Sequence, residues 1–304
     1  MFDRRSLVIG TGLLALTASG AFAQDWKAKY PELVFALVPA ENASGVSERY
    51  APLAEYLSKE LGVKVTLRIA NDYAAVIEGQ KAGNIHLAYY GPASYARAYI
   101  NGVKTEPFAI EVNEDGTKGY HSVFYVKKDS PYQKIEDLKG KNLGLVDPNS
   151  TSGNNVPRFA LDKMKIDPDT FFSKVVFTGS HENAVLALQQ GTVDVAANWW
   201  NDERESALMR MERKGMAKSS DFRIIFKSEQ IVNSPFAYLG DLPPDLKTKL
   251  REAFLAYPQK EKAGFEKMFD GKMKPWEPTD HKAYEPVVEL IKFVDQLRKK
   301  KSAS

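Results

Sequence analysis

Apolar residues recur along this chain with two periods, one typical of strands and the other typical of helices. Residues 33–38 form an apolar run between two prolines, which predicts a buried strand. From about Glu48 to Leu61 the apolar side chains fall on one face of a helix, with Pro52 expected in its first turn. Residues 63–69 alternate as a second strand. The pattern therefore predicts a strand, a helix and a strand.

A unit of strand, helix and strand is then used twice. Residues 71–90 and residues 180–198 each have the pattern of a capped helix, a glycine stop and a short apolar strand, and another strand precedes each segment. Such units build parallel sheets, and ligands bind beyond the carboxyl ends of the strands. We predict an α/β protein whose two lobes face a cleft. Residues 24–123 and 236–304 are assigned to the first lobe, and residues 124–235 to the second.

Three consecutive hydroxyl residues, Ser150, Thr151 and Ser152, stand between an apolar strand (residues 143–146) and a helix-like run (residues 156–161). The N–H groups in the first turn of a helix have no intrahelical partner, and the helix dipole there favours negative charge. Together with three hydroxyl donors, this junction predicts a pocket for an oxyanion that needs no full positive charge. The alternative is an ordinary helix cap, for which one such residue would suffice.

The N-terminus has the pattern of a processing segment. Arg4 and Arg5 precede an apolar core at residues 7–16 and a small-residue cleavage site at residues 21–23, so residues 1–23 are predicted as a signal peptide. The apolar core is too short to span a membrane, and the pattern leaves both the general and the twin-arginine export routes open. Without any cysteine, the chain has neither a lipid-attachment site nor a disulfide. A periplasmic location is expected.

Composition and charge argue against several classes of function. The chain has 42 Lys plus Arg and 39 Asp plus Glu, a formal net charge of +3, so no nucleic-acid partner is expected. Its 4 histidines are scattered and have no metal-ligand spacing, so neither a metal nor another cofactor is predicted. A length of 304 residues suits two cores of modest size.

Four segments resemble the periplasmic binding proteins of phosphonate ABC importers, the PhnD type. They are residues 89–94 (YYGPAS), 147–153 (DPNSTSG), 179–184 (GSHENA) and 191–196 (GTVDVA). The resemblance implies a periplasmic-binding-protein type II fold, in which two lobes close on a phosphonate and deliver it to a membrane permease. A monomer is expected for a receptor that must present both lobes to the permease.

The resemblance also implies roles for individual residues. Ser150, Thr151 and Ser152 match the donors to the phosphonate oxygens, and Tyr90 matches a tyrosine that donates from the other lobe. His181 matches a histidine that contacts the same group. Tyr50 falls where the family has an aromatic residue packed on the ligand. Tyr90 ends a strand before Gly91, and its side chain is therefore expected at the cleft.

One part of the family pattern is altered. Members that bind aminoalkylphosphonates hold the ligand's ammonium group with acidic residues, and these positions fall near Asn201 with Asp202, and near Ser234. A buried ammonium without a carboxylate partner is unfavourable. We therefore expect small or apolar ligands, such as methylphosphonate, phosphite or phosphate, and aminoethylphosphonate only if Asp202 serves its amine.

Two other classes of function remain as alternatives. One is a binding protein for a different oxyanion such as a sulfonate, which accepts hydrogen bonds but never donates them. The other is a phosphohydrolase with Ser150 or Thr151 as nucleophile and His181 as base. Such an enzyme needs an acid to orient the histidine, and only the adjacent Glu182 is a candidate, so an enzyme is not favoured.

Overall fold

The computed structural model describes residues 26–302. The predicted signal peptide, residues 1–23, lies outside the described residues. Within the described range, no helix combines the length and the apolar character needed to cross a membrane.

Strands and helices alternate along most of the described chain. The strands are β1 (Glu32–Leu37), β2 (Lys64–Ile69), β3 (Leu87–Tyr89), β4 (Thr105–Asn113), β5 (Gly119–Lys127), β6 (Asn142–Leu145), β7 (Lys174–Phe177), β8 (Val195–Asp202), β9 (Glu205–Ser206), β10 (Phe222–Lys227), β11 (Ile231–Val232), β12 (Pro235–Leu239) and β13 (Met273–Pro278). The α-helices are α1 (Trp26–Lys29), α2 (Ala43–Leu61), α3 (Tyr73–Lys81), α4 (Pro92–Ile100), α5 (Val156–Lys163), α6 (Pro168–Phe171), α7 (His181–Gln189), α8 (Ala207–Arg213), α9 (Pro244–Lys260), α10 (Lys262–Met268) and α11 (Glu285–Ser302). Short 3₁₀ helices lie at Ile135–Leu138, Ser219–Asp221 and His281–Tyr284, and a π-helical turn lies at Thr151–Asn155.

The strands form two sheets. The first has the order β13-β4-β12-β3-β1-β2, and the second has the order β10-β5-β8-β6-β7. In the first sheet β1 lies parallel between β2 and β3, and in the second β6 lies parallel between β7 and β8. The prediction of a repeated strand-helix-strand unit is confirmed, because β2-α3-β3 and β7-α7-β8 occupy equivalent places in the two sheets. We call the parts built on these sheets the first and the second lobe.

The chain crosses between the lobes at the end of β4 and returns at the start of β12. The predicted lobe boundary between residues 123 and 124 falls inside β5, all of which belongs to the second lobe because it hydrogen-bonds to β8 and β10. The predicted return at residue 236 lies one residue inside β12, which pairs with β3 and β4.

Helix α2 begins earlier than the sequence pattern indicated. Its apolar face includes Val46 as well as Tyr50, Leu53 and Leu57, all buried against the first sheet. Burial of Val46 extends the helix towards its N-terminus, and Pro52 therefore lies inside the helix. The prediction that Pro52 lies in the first turn is wrong.

An apolar cluster joins the two lobes behind the strand ends. Val38 and Tyr73 of the first lobe belong to the same cluster of buried side chains as Val146 and Val185 of the second. The carboxyl ends of β1 and β6 therefore face one another across the interface between the lobes.

Candidate anion-binding cavity between the lobes

A cavity of about 100 Å³ lies between the lobes and is lined by residues of both. Its size suits a small anion rather than a ligand of drug size. Of the predicted site residues, the lining includes Tyr50, Ser150, Thr151, Ser152, His181 and Asn201. It does not include Tyr90 or Asp202.

The hydroxyl stretch is held tightly against the end of β6. Ser150 caps the π-helical turn, and the turn continues directly into α5. Gly153 allows this close approach, since a Cβ atom there would lie 2.4 Å from the Cβ of Val146 and 2.7 Å from the Oγ of Ser150. The three hydroxyl residues are almost completely buried, with exposed fractions of 1%, 3% and 2%.

Two of these hydroxyls already accept hydrogen bonds from the backbone. The Oγ of Ser150 accepts from the N–H of Gly153 at 3.1 Å, and the Oγ1 of Thr151 accepts from the N–H of Ala93 in the first lobe at 2.8 Å. A hydroxyl has one hydrogen to donate in addition to its acceptor sites. Neither Ser150 nor Thr151 donates its hydroxyl hydrogen in an assigned hydrogen bond within residues 26–302, so each can donate to a ligand in the cavity.

Tyrosine side chains of both lobes face the hydroxyl stretch. Burial raises the pKa of Tyr120 to about 12, while the hydroxyls of Thr151 and Ser152 act in the opposite direction. Burial likewise raises the pKa of Tyr73, whose hydroxyl faces Ser150. Both phenols therefore keep their hydrogens at neutral pH and are potential donors. Our sequence reasoning missed both residues.

The internal repeat contained a signal for Tyr73. Tyr73 is the first residue of α3, after the cap Asp72, and His181 is the first residue of α7, after the cap Ser180. The two side chains thus occupy equivalent positions in the two repeated units, and both line the cavity.

Tyr90 lies away from the cavity. Its side chain is fully buried, and its hydroxyl donates to the Oε1 of Gln80 at 2.9 Å. The preceding residue, Tyr89, lines the cavity instead. Successive side chains of a strand point to opposite faces. The expectation that Tyr90 faces the cleft is therefore wrong, and its neighbour Tyr89 occupies that position.

His181 presents an acceptor rather than a donor to the cavity. Its Nδ1 lies 2.9 Å from the Oδ1 of Asn198, and Asn198 is oriented because its Nδ2 donates to the His181 carbonyl at 2.9 Å and its Oδ1 accepts from the Trp199 N–H at 2.9 Å. Nδ1 therefore carries the hydrogen. Burial lowers the pKa of His181 to about 4, although the bond to Asn198 acts in the opposite direction. In the neutral ring, Nε2 has a free lone pair.

Asn201 and Asp202 differ in the same way as Tyr89 and Tyr90, because only the first residue of each pair lines the cavity. Asn201 lines the cavity, and its Nδ2 donates to the Oδ1 of Asn113 in the first lobe at 3.1 Å. Asp202 is instead the last residue of β8, and its Oδ1 accepts from the N–H groups of Arg204 at 2.7 Å and Glu205 at 2.9 Å across the turn to β9. Its carboxylate caps this turn and does not reach the cavity, contrary to our expectation.

The opposite side of the cavity carries charges that sequence reasoning missed. Glu41 of the first lobe binds Arg49 of its own lobe at 2.7 Å, and Arg210 and Lys214 of the second lobe at 2.8 Å and 3.1 Å. The Nε of Arg210 also binds Glu205 at 2.5 Å. Burial alone would raise the pKa of Glu41, but the three cations hold it well below its usual range. Each guanidinium on the cavity wall therefore binds a protein carboxylate, although the buried Nε of Arg49 has no assigned partner among the described residues.

Glu182, the candidate acid for an enzyme, does not contact His181 through its carboxylate. Its carboxylate binds the Nζ of Lys214 at 2.6 Å and accepts from the N–H of Asn42 at 2.8 Å. Within the part of the chain that the structure describes, no cluster of three or more His, Asp or Glu side chains could hold a metal ion.

Glu111, at the cavity wall on β4, is a further charged residue without a sequence signal. It is 7% exposed, and its Oε1 accepts from the Tyr89 hydroxyl at 3.0 Å. Burial raises the pKa of Glu111 to about 7, although Arg210, Tyr89 and Arg49 act in the opposite direction.

Two α/β lobes enclosing a small, donor-lined cavity define a solute-binding protein of the periplasmic type II fold. The family model of the periplasmic substrate-binding proteins of phosphonate ABC transporters matches residues 35–284. The chain belongs to this family.

Relatives and solved structures agree with the assignment. The chain is 35% identical over 234 residues to the phosphate-import protein PhnD of Mycolicibacterium smegmatis, covering 74% of this chain and 72% of that protein. It is 32% identical over 242 residues to the phosphonates-binding periplasmic protein of Escherichia coli, covering 78% and 70%. A binding protein of an ABC phosphonate transporter from Pseudomonas aeruginosa superposes with a TM-score of 0.78 at 29% identity, covering 87% of each chain.

Proposed function

We propose that this protein captures a small phosphorus oxyanion (methylphosphonate, phosphite or phosphate) in the cavity between its lobes and delivers it to an ABC permease. The observation that carries the proposal is the state of the Ser150 and Thr151 hydroxyls. Both are buried at the cavity wall, both accept a backbone hydrogen bond that orients them, and neither donates its hydrogen in an assigned bond within residues 26–302. Oriented neutral donors are suited to bind an anion with little reorganisation.

Both lobes contribute to this binding site. Ser150, Thr151 and Tyr120 belong to the second lobe, whereas Tyr50 and Tyr73 belong to the first. An anion that receives hydrogen bonds from both sides bridges the lobes and favours the closed arrangement. Binding and lobe closure are therefore coupled, and a permease can distinguish the loaded protein from the empty one.

The cavity favours ligands with a small substituent on phosphorus. Its volume of about 100 Å³ leaves little space beyond the oxyanion, and Trp199 lines the wall beside Asn201. Because Asp202 is used in its turn, it cannot serve an aminoethyl substituent there. The names of the relatives from Mycolicibacterium smegmatis (phosphate import) and Escherichia coli (phosphonate binding) support the same class of ligand.

The family supports a periplasmic setting for the proposed function. The protein acts in the periplasm after removal of residues 1–23, and it meets the permease as a monomer that presents both lobes. Recovery of a chain shortened by the predicted leader from the periplasmic fraction, at the mass of a monomer, tests this part of the proposal.

Isothermal titration of the purified protein with methylphosphonate, phosphite, phosphate and aminoethylphosphonate tests the ligand class. We expect binding of at least one of the first three in preference to aminoethylphosphonate. Replacing Ser152 with Ala should weaken binding about 10- to 100-fold, because a hydrogen bond to a charged group contributes roughly 1.5–3 kcal/mol.

Ser58→Ala is the matched control, since the Ser58 hydroxyl serves the backbone of α2 and β2, away from the cavity. The proposal fails if none of the four ligands binds, or if Ser152→Ala and Ser58→Ala bind methylphosphonate equally well.

A further inference from the structure

Glu111 is a buried acid, and part of its carboxyl has no assigned hydrogen-bond donor among the described residues. Its carboxyl accepts one hydrogen bond, from Tyr89, and no other bond to it is assigned within residues 26–302. Neither guanidinium of the cavity wall pairs with it, because Arg49 binds Glu41 and Arg210 binds Glu41 and Glu205. A buried carboxyl with a free acceptor site is unfavourable unless a donor reaches it.

The cavity thus contains two acceptors, the carboxyl of Glu111 and the Nε2 of His181, facing a ligand whose oxygens are acceptors as well. Two acceptors repel one another unless a hydrogen lies between them. A phosphorus oxyanion near neutral pH can carry a P–OH hydrogen, whereas a sulfonate carries none. The acceptors therefore distinguish between these two classes of anion, which have similar size and shape.

We propose that Glu111 determines the specificity of the cavity by sharing one proton with an oxygen on phosphorus, so that protonatable phosphorus oxyanions bind and sulfonates are excluded. The inference deepens the proposed function and rests on it. The ligand donates its P–OH hydrogen to the ionised carboxylate, which a sulfonate without such a hydrogen cannot do. One proton then lies between the two groups.

The surroundings of Glu111 allow it to take up that proton near neutral pH. Burial raises its pKa to about 7 against the nearby cations, and Glu205 reinforces the rise. The titratable groups that interact with it come from several elements: Arg49 and Tyr50 of α2, Tyr89 of β3, Tyr120 of β5, Glu205 of β9, Arg210 of α8 and Tyr284 before α11. Of these, the tyrosines are neutral at that pH because burial raises the pKa of each.

Titration calorimetry with methylphosphonate and methanesulfonate, at pH ~6 and pH ~9 and in two buffers of different ionisation heat, tests the inference. We expect the wild-type protein to take up about one proton with methylphosphonate at the higher pH, and its affinity to fall by up to about tenfold per pH unit there. The preference for methylphosphonate over methanesulfonate should be several-fold larger at pH ~9, where Glu111 is ionised, than at pH ~6, where its protonated carboxyl can donate to either anion.

Glu111→Gln removes the acid but keeps the shape. It should lose most of the proton uptake and reduce the preference for methylphosphonate over methanesulfonate by about tenfold or more. Because the protonation of the free ligand is common to all variants, the difference between variant and wild type reports Glu111 alone. Glu55→Gln, on the exposed face of α2, is the matched control and should behave like the wild type.

The outcomes separate the two proposals. A wild-type protein that binds methylphosphonate but shows the same proton uptake and the same preference as Glu111→Gln refutes the role of Glu111 and leaves the proposed function standing. Equal binding of the sulfonate and the phosphonate by the wild type at pH ~9 also refutes it. If no phosphorus oxyanion binds at any pH, the proposed function fails, and this inference fails with it.

Discussion

The two sides of the cavity use opposite chemistry. The hydroxyl side, formed by Ser150, Thr151, Ser152, Tyr73 and Tyr120, carries no formal charge. The charged side, formed by Glu41, Arg49, Glu111 and Arg210, carries both signs, and its guanidiniums are bonded to protein carboxylates. Anion-binding sites commonly use arginines for the anion. Here the neutral side has several hydroxyl donors, whereas each guanidinium of the charged side binds a protein carboxylate and only the Nε of Arg49 is buried without an assigned partner among the described residues.

This difference indicates a division of labour. The bonds from Glu41 to Arg210 and Lys214 join the first lobe to the second without any ligand. They are buried, so salt screens them little. The hydroxyl side can then recognise an anion by hydrogen-bond geometry, while the charged side holds the lobes in register and, through Glu111, senses protonation.

The largest effect is expected from Glu41→Gln, which breaks the charged side. The change leaves Arg49 and Arg210 near the cavity without their shared carboxylate, and breaking such a buried pair costs about 3–5 kcal/mol. Urea unfolding at neutral pH measures the loss, with Glu55→Gln as the control.

The stability difference between the wild type and Glu41→Gln should also depend on pH. The cations hold the pKa of Glu41 well below its usual range, so its contribution to stability is present above the pKa of the unfolded chain and is lost as the pH falls towards the lowered value. The gap between wild type and variant should therefore narrow in acid. A gap below about 1 kcal/mol at neutral pH would contradict the assigned role.

Glu111→Gln is expected to change the free energy of unfolding by a smaller amount than Glu41→Gln and in the opposite direction, so that the variant is more stable than the wild type. Burial raises the pKa of Glu111 from 4.5 to about 7, so between these values the folded protein binds more protons than the unfolded chain. Stability from this group is present at low pH and is lost as the pH rises through about 7, by up to ~3 kcal/mol in total.

Replacing Glu111 with the neutral Gln should therefore stabilise the unliganded protein at pH ~8 relative to the wild type, and do so much less at pH ~5. Thermal unfolding at the two pH values measures both differences. A variant that is equally destabilised at both would show that Glu111 is ionised and well paired in the folded state.

The smallest effects distinguish the hydroxyl side from the core behind it. Tyr120→Phe should weaken methylphosphonate binding about tenfold, because a hydrogen bond to a charged ligand contributes at least about 1.5 kcal/mol. Tyr90→Phe should leave binding unchanged and lower stability by about 1 kcal/mol, because it removes the donor to Gln80. Titration measures the affinity of each variant for methylphosphonate, and urea unfolding measures the stability of each. Weaker binding by Tyr90→Phe than by Tyr120→Phe would reverse our assignment of the two tyrosines.

Much of the fold could be predicted because its signals are local. The alternation of strands and helices in residues 63–90 and 174–198 shows directly in the apolar pattern, and both units form as expected. The hydroxyl stretch was equally visible, since the strand before it and the helix after it fix where three adjacent hydroxyl residues must lie. Neither feature depends on a residue far away in the chain.

It was harder to predict from the sequence which of two adjacent side chains at the end of a strand points into the cavity. Tyr89 and Tyr90, like Asn201 and Asp202, differ by one position, and a shift of one residue moves a side chain to the opposite face. In both pairs the earlier residue lines the cavity. Only the pairing of β3 and β8 with their neighbours decides which residue does so.

The sequence by itself determined that this protein has two α/β lobes and a loop of oriented hydroxyl donors, because periodicity and capping act between residues that are neighbours in the chain. The tertiary structure alone decided the charged side. Glu41 and Arg210 are 169 positions apart, and Glu111 of β4 is buried beside Tyr89 of β3, Arg49 of α2 and Arg210 of α8. Burial and pairing set the charge states of these groups, and both depend on folded neighbours that no local pattern specifies.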